Sequence, residues 1–334
     1  MIRKRLLKYL VGLCLLQACK SSPSYPYEGE LERLDAALDS IITTGARPEL
    51  IAEGFDWSEG PLWIESRQQL IFSDVPRDTI FSWSEKEGVN VFLTPSGNTT
   101  GIQRGGEMGS NGLLLDDSGR LVLCQHGNRQ LAVMEASLST PAPRYHPLAA
   151  SYGGRRFNSP NDVATDTAGN FYFTDPPYGL EKGMEDSTKE LGWQGVYKVK
   201  KDGTVLLLID SLTRPNGIIL LPGTSYLIVA NSDPEKPYWY RYECLPNDSL
   251  RAAGLFYDAR AASATAAGLP DGLKADKKGN VFASGPGGIW IFDKTGKVLG
   301  KIKLNGPASN CALSADERTL YITNDSKVLR LRMR

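Results

Sequence analysis

The chain has 334 residues, and its 38 Lys and Arg residues balance its 38 Asp and Glu residues, so the formal net charge is zero. A hydrophobic content of 41% and a charged content of 23% are typical of globular proteins and exclude a disordered chain, a collagen-like fibre and a small disulfide scaffold. The balanced charge also argues against a nucleic-acid partner, because phosphate binding requires an excess of basic residues on one face.

The first 18 residues have the composition of an export signal. Four basic residues and no acidic residue occur in the first eight positions, and an apolar run from Tyr9 to Leu16 follows. This run is too short to span a bilayer. The sequence Leu16-Gln17-Ala18-Cys19 resembles a bacterial lipobox, in which Cys19 is lipidated and becomes the new N-terminus. We expect an exported protein anchored to a bacterial membrane, periplasmic or at the cell surface, with plain secretion as the alternative.

Removal of this signal changes the charge balance. The mature chain keeps 34 basic and 38 acidic residues, a formal net charge of −4. Residues 19–46 are predicted to form a lipid-anchored tether and an amphipathic helix from Glu28 to Ile42, because apolar residues recur there at spacings of three and four. Cys124 and Cys311 lie in apolar runs and are predicted to be buried thiols.

From residue 47 to residue 334 the chain repeats a unit of about 50 residues. Each unit opens with a polar residue, usually followed by Gly or Asp, and continues with apolar runs separated by turns. The central residues of the six openings are Glu59, Asn111, Asn161, Asn216, Asp271 and Asn310. Six four-stranded units predict an all-β fold, a six-bladed β-propeller. Two stacked β-sandwiches are the alternative, but they would not explain the repeated polar residue.

The propeller interpretation makes two further predictions about the chain. The last unit, which begins at Ser309, is too short for four strands, so residues 49–53 are predicted to supply the missing strand and close the ring. The first strand of each blade lines the central channel, so the six opening residues should converge at one end of it.

The six converging residues are two carboxylates and four carboxamides, all of them hard oxygen donors. Ca²⁺ is bound by several such oxygens, whereas Zn²⁺ favours His and Cys ligands. Only two histidines occur in the chain. The ring therefore predicts a Ca²⁺ site, with Mg²⁺, Mn²⁺ and Zn²⁺ as alternatives.

Several motifs in the repeats resemble those of the gluconolactonase/SMP-30/regucalcin family. In chain order they are Phe55-x-Trp57-x-Glu59-Gly60-Pro61-Leu62-Trp63, Asn158-Ser159-Pro160-Asn161-Asp162, Phe173-Thr174-Asp175-Pro176-Pro177-Tyr178-Gly179, Gln194-Gly195-Val196-Tyr197, Arg214-Pro215-Asn216-Gly217 and Leu269-Pro270-Asp271-Gly272. The resemblance covers about Arg47 to Arg334. It implies a six-bladed propeller with one divalent cation, usually Ca²⁺, in the channel, and the hydrolysis of sugar lactones.

The resemblance also implies roles for the ring. Glu59, Asn216 and Asp271 match the family's metal ligands, and Asn161 matches a channel asparagine that binds metal or substrate. Asn111 and Asn310 have no firm assignment, and Asn111 is placed with the substrate-binding residues. A bound cation would polarise the lactone carbonyl, and a neighbouring carboxylate would take a proton from water. We assign this base to Asp271, with Glu59 as the alternative.

A second ring is expected at the ends of the second strands, which run back to the same end of the channel. Its members are Asp74, His126, Asp175 and Asn231. An insertion at residues 176–192 is interpreted as a lid, because long loops in compact folds are usually functional, with a disordered excursion as the alternative. The predicted substrate-binding residues come from both rings, the insertion and one loop. They are Asn111 of the first ring, His126 and Asp175 of the second ring, Tyr178 of the insertion, and Arg156, which precedes Asn158 and is expected to reach the mouth.

Two other functions are compatible with a propeller, because a fold alone does not determine an activity. One is a lipid-anchored protein that binds carbohydrate or protein without catalysis. The other is a hydrolase of organophosphates or aryl esters. The complete ligand set favours an enzyme, since a binding module does not need an acid beside an open metal position. The predicted partners are a small lactone and, through the lipid on Cys19, a membrane; the chain is predicted to be a monomer.

Overall fold

The computed structural model describes residues 24–102 and 105–334. The predicted signal, residues 1–18, and the lipidation site Cys19 lie outside this part of the chain, so export and lipid anchoring stay predictions. In the described residues, no helix combines the length and the apolar character that a membrane crossing requires.

The described residues form six antiparallel sheets arranged as propeller blades, with two strands preceding the first blade. These two strands are β1 (Glu30–Arg33) and β2 (Glu49–Glu53). Blade 1 contains β3 (Ser58–Ile64), β4 (Gln69–Asp74), β5 (Thr79–Ser84) and β6 (Gly88–Leu93). Blade 2 contains β7 (Ser110–Leu115), β8 (Leu121–Gln125), β9 (Gln130–Met134) and β10 (Tyr145–Ala149). A hairpin follows, made of β11 (Ser151–Tyr152) and β12 (Arg155–Arg156).

The remaining four blades repeat the same order from the channel outwards. Blade 3 contains β13 (Val163–Thr165), β14 (Phe171–Asp175), β15 (Gln194–Val199) and β16 (Val205–Leu212). Blade 4 contains β17 (Pro215–Leu220), β18 (Tyr226–Asp233), β19 (Lys236–Cys244) and β20 (Leu250–Asp258). Blade 5 contains β21 (Leu273–Ala275), β22 (Val281–Gly285), β23 (Gly288–Phe292) and β24 (Val298–Lys303). Blade 6 contains β25 (Ala308–Leu313), β26 (Thr319–Asn324) and β27 (Lys327–Arg332), and β2 completes it.

The described helices are all short. Three are 3-10 helices, at Ala36–Ser40, Glu65–Arg67 and Gly183–Glu185, and one is an α-helix, α1 (Arg260–Ser263). The chain is therefore all-β, as predicted.

Strand β2 closes the ring as predicted. It pairs antiparallel with β27, with Leu50 opposite Leu329, so the last blade is built from both ends of the propeller sequence. This pairing joins residues 49–53 to residues 327–330 and completes blade 6, which packs against blade 1 through a shared hydrophobic cluster.

The hydrophobic core is divided among the interfaces between blades. Six clusters of buried residues occur in the described chain, and each joins one pair of adjacent blades. For example, Trp239 of blade 4 packs against Trp290 and Phe292 of blade 5. A stacked pair of sandwiches would share one central core, so this arrangement excludes that alternative.

The α-helix predicted from Glu28 to Ile42 does not form. Its first part is β1, which pairs antiparallel with β24 as a fifth strand of blade 5. This pairing satisfies a sheet edge that would otherwise be exposed. The following 3-10 helix turns Leu38 and Ile42 into the core between blades 5 and 6. The apolar residues in this segment are therefore spaced to pack against blades 5 and 6 from a strand and a 3-10 helix, and not from one α-helix.

The prediction of buried thiols is confirmed. Cys124 and Cys311 are fully buried and carry free thiols, and Cys244 is half-buried and also free.

Candidate active site in the channel

The six opening residues occupy equivalent positions at the inner edges of the blades. Glu59, Asn111, Asn216 and Asn310 lie in the first strands of blades 1, 2, 4 and 6, while Asn161 and Asp271 lie two residues before β13 and β21. All six side chains are buried or nearly so. The strand register shifts near the opening in blades 1, 2, 4 and 6. Such bulges turn a side chain out of the regular pleat, which here directs it towards the channel.

The glycine that follows several of these residues is required by close packing between blades. A Cβ atom on Gly112 would lie 2.7 Å from the Asn161 carbonyl oxygen. A Cβ atom on Gly60 or Gly217 would overlap the backbone of the next blade, and one on Gly272 would overlap the amide of Asn310. The polar-residue–glycine pattern thus brings adjacent first strands close enough to form a tight ring.

Gly272→Ala is therefore expected to lower the free energy of unfolding by about 2–3 kcal/mol, because the new methyl group overpacks the ring. The matched control is Gly192→Ala, where a Cβ atom would meet no atom within 4 Å. Denaturant unfolding of both variants measures the effect. Equal stability of Gly272→Ala and the wild type would contradict this account of the glycine.

Hydroxyl groups on the second strands donate hydrogen bonds to backbone carbonyl oxygens at or beside the ring residues of the next blade. Ser73 donates to the Asn111 carbonyl oxygen at 2.9 Å, and Thr174 donates to that of Asn216 at 2.6 Å. Ser232 and Ser284 make the equivalent bonds to Pro270 and Ser309 in the next blades, at 2.6 and 2.7 Å. Each bond crosses a blade interface, so buried hydrogen bonds between blades hold the backbone at or beside four ring residues.

The ring opens into a cavity of about 350 Å³. Five of its residues line this cavity, namely Glu59, Asn111, Asn161, Asn216 and Asp271. Asn310 does not line it. The side-chain nitrogen Nδ2 of Asn310 lies 3.4 Å from Glu59 Oε2, and its side-chain oxygen Oδ1 accepts from the Cys311 backbone amide at 2.8 Å. Asn310 therefore holds Glu59 and offers no free oxygen to the cavity.

Three ring oxygens are buried and accept no hydrogen bond from the described residues. They belong to Asn111 Oδ1, Asn161 Oδ1 and Asp271 Oδ1. Asn216 donates its amide hydrogen to Ser232 Oγ at 3.0 Å, which orients its carbonyl oxygen away from that hydroxyl. Buried oxygen atoms without partners are costly unless another group satisfies them.

The ring carboxylates are close enough to influence one another. Burial raises the pKa of the Asp271 carboxyl group, and the charge of Glu59 raises it further. Burial also raises the pKa of Glu59; the Gly60 amide partly offsets this effect, and the charge of Asp162 adds to it. Two carboxylates that oppose each other's ionisation in a buried site would both be stabilised in their charged form by a cation.

These observations fit a hard divalent cation. The described residues contain no group of three or more His, Cys, Asp or Glu side chains able to hold a metal ion. The ring does not depend on such a group, because two carboxylates and the amide oxygens of Asn161 and Asn216 supply the donors. Glu59, Asn161, Asn216 and Asp271 would hold the ion, and this set of oxygens suits Ca²⁺.

The predicted second ring does not form the mouth of the cavity. Asp175 is fully buried, and its two oxygens accept from the Asn158 and Ser159 amides, both at 2.8 Å. Asp74 accepts from two backbone amides just before β3, and Asn231 accepts from the Arg214 amide. These side chains satisfy the backbone of the segment that leads into each first strand. The prediction that Asp175 contacts substrate is not supported by its position.

The other predicted substrate contacts divide into two groups. Tyr178 lines the cavity at the start of the insertion, and its buried hydroxyl lies beside Ser232. Burial raises the pKa of this hydroxyl, so it stays protonated and able to donate. Arg156 is exposed in β12 and does not line the cavity; its guanidinium lies 3.3 Å from the Asn128 carbonyl oxygen. His126 is fully buried and does not line the cavity.

Sequence reasoning missed several residues of the cavity. Glu107, Arg214 and Trp57 line it, and none was predicted to bind substrate. It also missed the buried Asp162, whose Oδ2 lies 3.6 Å from Lys274 Nζ. Trp57 and Arg214 each lie two residues before a ring residue, within the repeat motifs, so proximity in sequence could have identified them. Glu107 lies in an irregular loop between β6 and β7, where no periodic pattern marks it.

Comparison with known proteins gives three consistent results. Residues 57–326 match the model of the SMP-30/Gluconolactonase/LRE-like region. A gluconolactonase of Zymomonas mobilis is 38% identical over 323 residues, which cover 95% of this chain and 89% of that protein. The solved structure of a gluconolactonase from Xanthomonas campestris superposes with a TM-score of 0.80 at 28% identity, covering 95% of this chain and 99% of that one.

A more distant structure shares the fold. Regucalcin from Agrobacterium tumefaciens, described as a calcium-binding protein, superposes with a TM-score of 0.63 at 15% identity. The match covers 86% of this chain and 93% of that one.

Proposed function

Since the chain belongs to the SMP-30/gluconolactonase/LRE-like family, we propose that it is a Ca²⁺-dependent lactonase that opens sugar lactones by hydrolysis. The observation that carries this proposal is the buried ring of oxygen donors at the base of the cavity, in which Asp271 Oδ1 and Asn161 Oδ1 accept no hydrogen bond from the described residues. A protein that only binds carbohydrate has no need for such a costly arrangement.

A bound Ca²⁺ ion would polarise the lactone carbonyl and compensate the negative charge that develops on its oxygen. The chain supplies the remaining functions. Glu59 and Asp271 would provide two negative charges for the ion, and Asn161 and Asn216 would provide neutral oxygens. Asn310 and Ser232 hold Glu59 and Asn216 by the contacts described above.

The cavity wall suits a polyhydroxylated ring. Trp57 offers an aromatic face on which a sugar ring can lie, and Tyr178 offers a hydroxyl donor. Arg214 adds further donors and Glu107 an acceptor. This mixture of one aromatic surface and several hydrogen-bonding groups is typical of small-molecule sites.

Hydrolysis also requires a group that takes a proton from the attacking water. The sequence assigns this role to Asp271, with Glu59 as the alternative, and both carboxylates line the cavity.

A panel of substrates tests the proposal. The purified protein with Ca²⁺ is expected to hydrolyse aldonolactones such as gluconolactone faster than aryl esters or organophosphate triesters. Proton release in a weakly buffered assay measures each rate. No hydrolysis of any lactone by Ca²⁺-loaded protein would refute the proposal and favour a binding function, and a preference for aryl or phosphate esters would reassign the substrate class.

A further inference from the structure

The wall of the cavity is divided by polarity. The wall contributed by blades 5, 6 and 1 is apolar and consists of Leu269, Pro307, Ala308 and Trp57. The wall contributed by blades 2, 3 and 4 carries polar and charged side chains, which are Glu107, Tyr178, Arg214 and Ser232. Among the described residues that line the cavity, Arg214 is the only basic one. A lactone bound at the ring is therefore expected to turn its polar substituents towards blades 2 to 4.

The backbone of Arg214 is fixed at the entrance to blade 4. Its amide donates to Asn231 Oδ1 at 2.8 Å, and its carbonyl oxygen accepts from the Ser232 amide at 2.9 Å. Pro215 follows, and the ring residue Asn216 comes next. The base of the arginine side chain is therefore held two residues from an oxygen that would bind the cation.

The guanidinium group of Arg214 is available to a ligand. Arg214 is exposed, and its side chain makes no hydrogen bond or ion pair with any residue in the ranges 24–102 and 105–334. Asp233 of β18 is close enough to interact with it electrostatically, but the Asp233 oxygens are already engaged. The Thr213 hydroxyl donates to Oδ2 at 2.5 Å, and the Glu235 amide donates to Oδ1 at 2.9 Å.

Tyr178 completes this polar corner of the cavity. Its hydroxyl lies beside Ser232, and the backbone amide of Ser232 is bonded to Arg214. The phenol hydroxyl and the guanidinium group therefore border the same part of the wall. Both are hydrogen-bond donors, so the corner suits an acceptor group of the substrate.

We propose that Arg214 makes the enzyme selective for lactones that carry a carboxylate away from the lactone carbonyl, such as the monolactone of a sugar diacid. This inference rests on the proposed lactonase function. A guanidinium group presents its donors in a plane that matches a carboxylate, and paired hydrogen bonds of this kind are stronger than those to a neutral hydroxyl.

The charges of the cavity are compatible with a substrate that carries one negative charge. A divalent cation and Arg214 together balance the three carboxylates that line the cavity, which are Glu59, Glu107 and Asp271. A carboxylate is therefore attracted locally by the guanidinium group and is not repelled by the cavity as a whole. A phosphate dianion would add one charge more than Arg214 can compensate, in a cavity that also contains Glu107. The carboxylate is the better match.

The test compares gluconolactone with a monolactone of glucaric acid as substrates of the full-length protein loaded with Ca²⁺. The wild type is expected to show a kcat/KM about 10-fold or more higher for the glucaric acid monolactone, the usual advantage of a charge-assisted hydrogen bond over a neutral one. Arg214→Gln should lower kcat/KM for this substrate by about 10- to 100-fold, mainly through KM, and should lower it less for gluconolactone.

Two further comparisons separate recognition from a general loss of structure. Arg214→Lys keeps the charge without the paired donors and should retain part of the preference. The matched control Arg156→Gln changes an exposed arginine that does not line the cavity, and it should keep the wild-type preference. Raising the salt concentration from about 20 mM to about 500 mM should weaken the preference of the wild type but not that of Arg214→Gln, because salt screens exposed charges.

Three results would overturn the inference. They are a wild-type kcat/KM that is equal or higher for gluconolactone, an unchanged preference in Arg214→Gln, and a higher kcat/KM for a phosphorylated gluconolactone than for the glucaric acid monolactone. Failure of the wild type to hydrolyse any lactone would instead refute the proposed function itself, so the two failures are distinguishable.

Discussion

Removal of divalent cations with EDTA is expected to lower kcat/KM for gluconolactone by about 10²- to 10³-fold, because carbonyl polarisation by a metal contributes several kcal/mol to catalysis. Added Ca²⁺ should restore the rate. The same loss is expected from Glu59→Gln even with Ca²⁺ present, because this change removes one of two ligand charges while keeping the shape of the side chain. Initial rates of lactone hydrolysis, measured with and without EDTA, give the effect.

The matched control for Glu59→Gln is Glu53→Gln, at an exposed position in β2. Glu53→Gln should retain both the rate and the Ca²⁺ affinity of the wild type. Full activity of Glu59→Gln together with wild-type Ca²⁺ affinity would contradict the assignment of Glu59 as a ligand.

The metal-free protein is expected to lose stability as the pH rises above the ordinary range of carboxyl groups. Burial and mutual repulsion raise the pKa values of Glu59 and Asp271 above their unfolded values. In that range the folded state holds more protons than the unfolded state, so the free energy of unfolding falls as the pH increases. Ca²⁺ should remove this loss, since it stabilises both ionised carboxylates and competes with their protons.

Thermal unfolding from about pH 5 to about pH 8, with EDTA or Ca²⁺, measures this effect. The shift in Tm caused by Ca²⁺ should grow with pH in the wild type and be much smaller in Glu59→Gln. Asp175 is also buried and its pKa is raised to about 7, but it affects both conditions alike and cancels in the difference. A Ca²⁺-induced shift that is independent of pH would contradict the proposed coupling.

The fold and the ring could be predicted because each depends on a local pattern that is repeated. The unit of about 50 residues defines a blade, and the polar residue that opens it lies at the inner edge of every blade. Close contact between blades requires the following glycine at Gly112 and Gly272, so the packing itself is encoded in the motif. The prediction that β2 closes the ring followed because the last repeat is too short to form four strands.

The errors arose where local patterns have more than one structural solution. The apolar spacing around Leu38 is compatible with a helix, but the free edge of β24 recruits β1 instead. A polar residue at a strand end can face solvent or accept hydrogen bonds from backbone amides. The buried Asp175 accepts such bonds from Asn158 and Ser159. Glu107 could not be predicted, because its place at the cavity depends on contacts between loops that are distant in sequence.

The most direct test of the central claim is a titration of Ca²⁺ into the EDTA-treated protein, with site occupancy and lactone hydrolysis measured in the same samples. The account predicts one bound ion per chain and a hydrolysis rate that rises in proportion to occupancy. A full rate in the metal-free protein, or saturation of the site without any lactone hydrolysis, would contradict it.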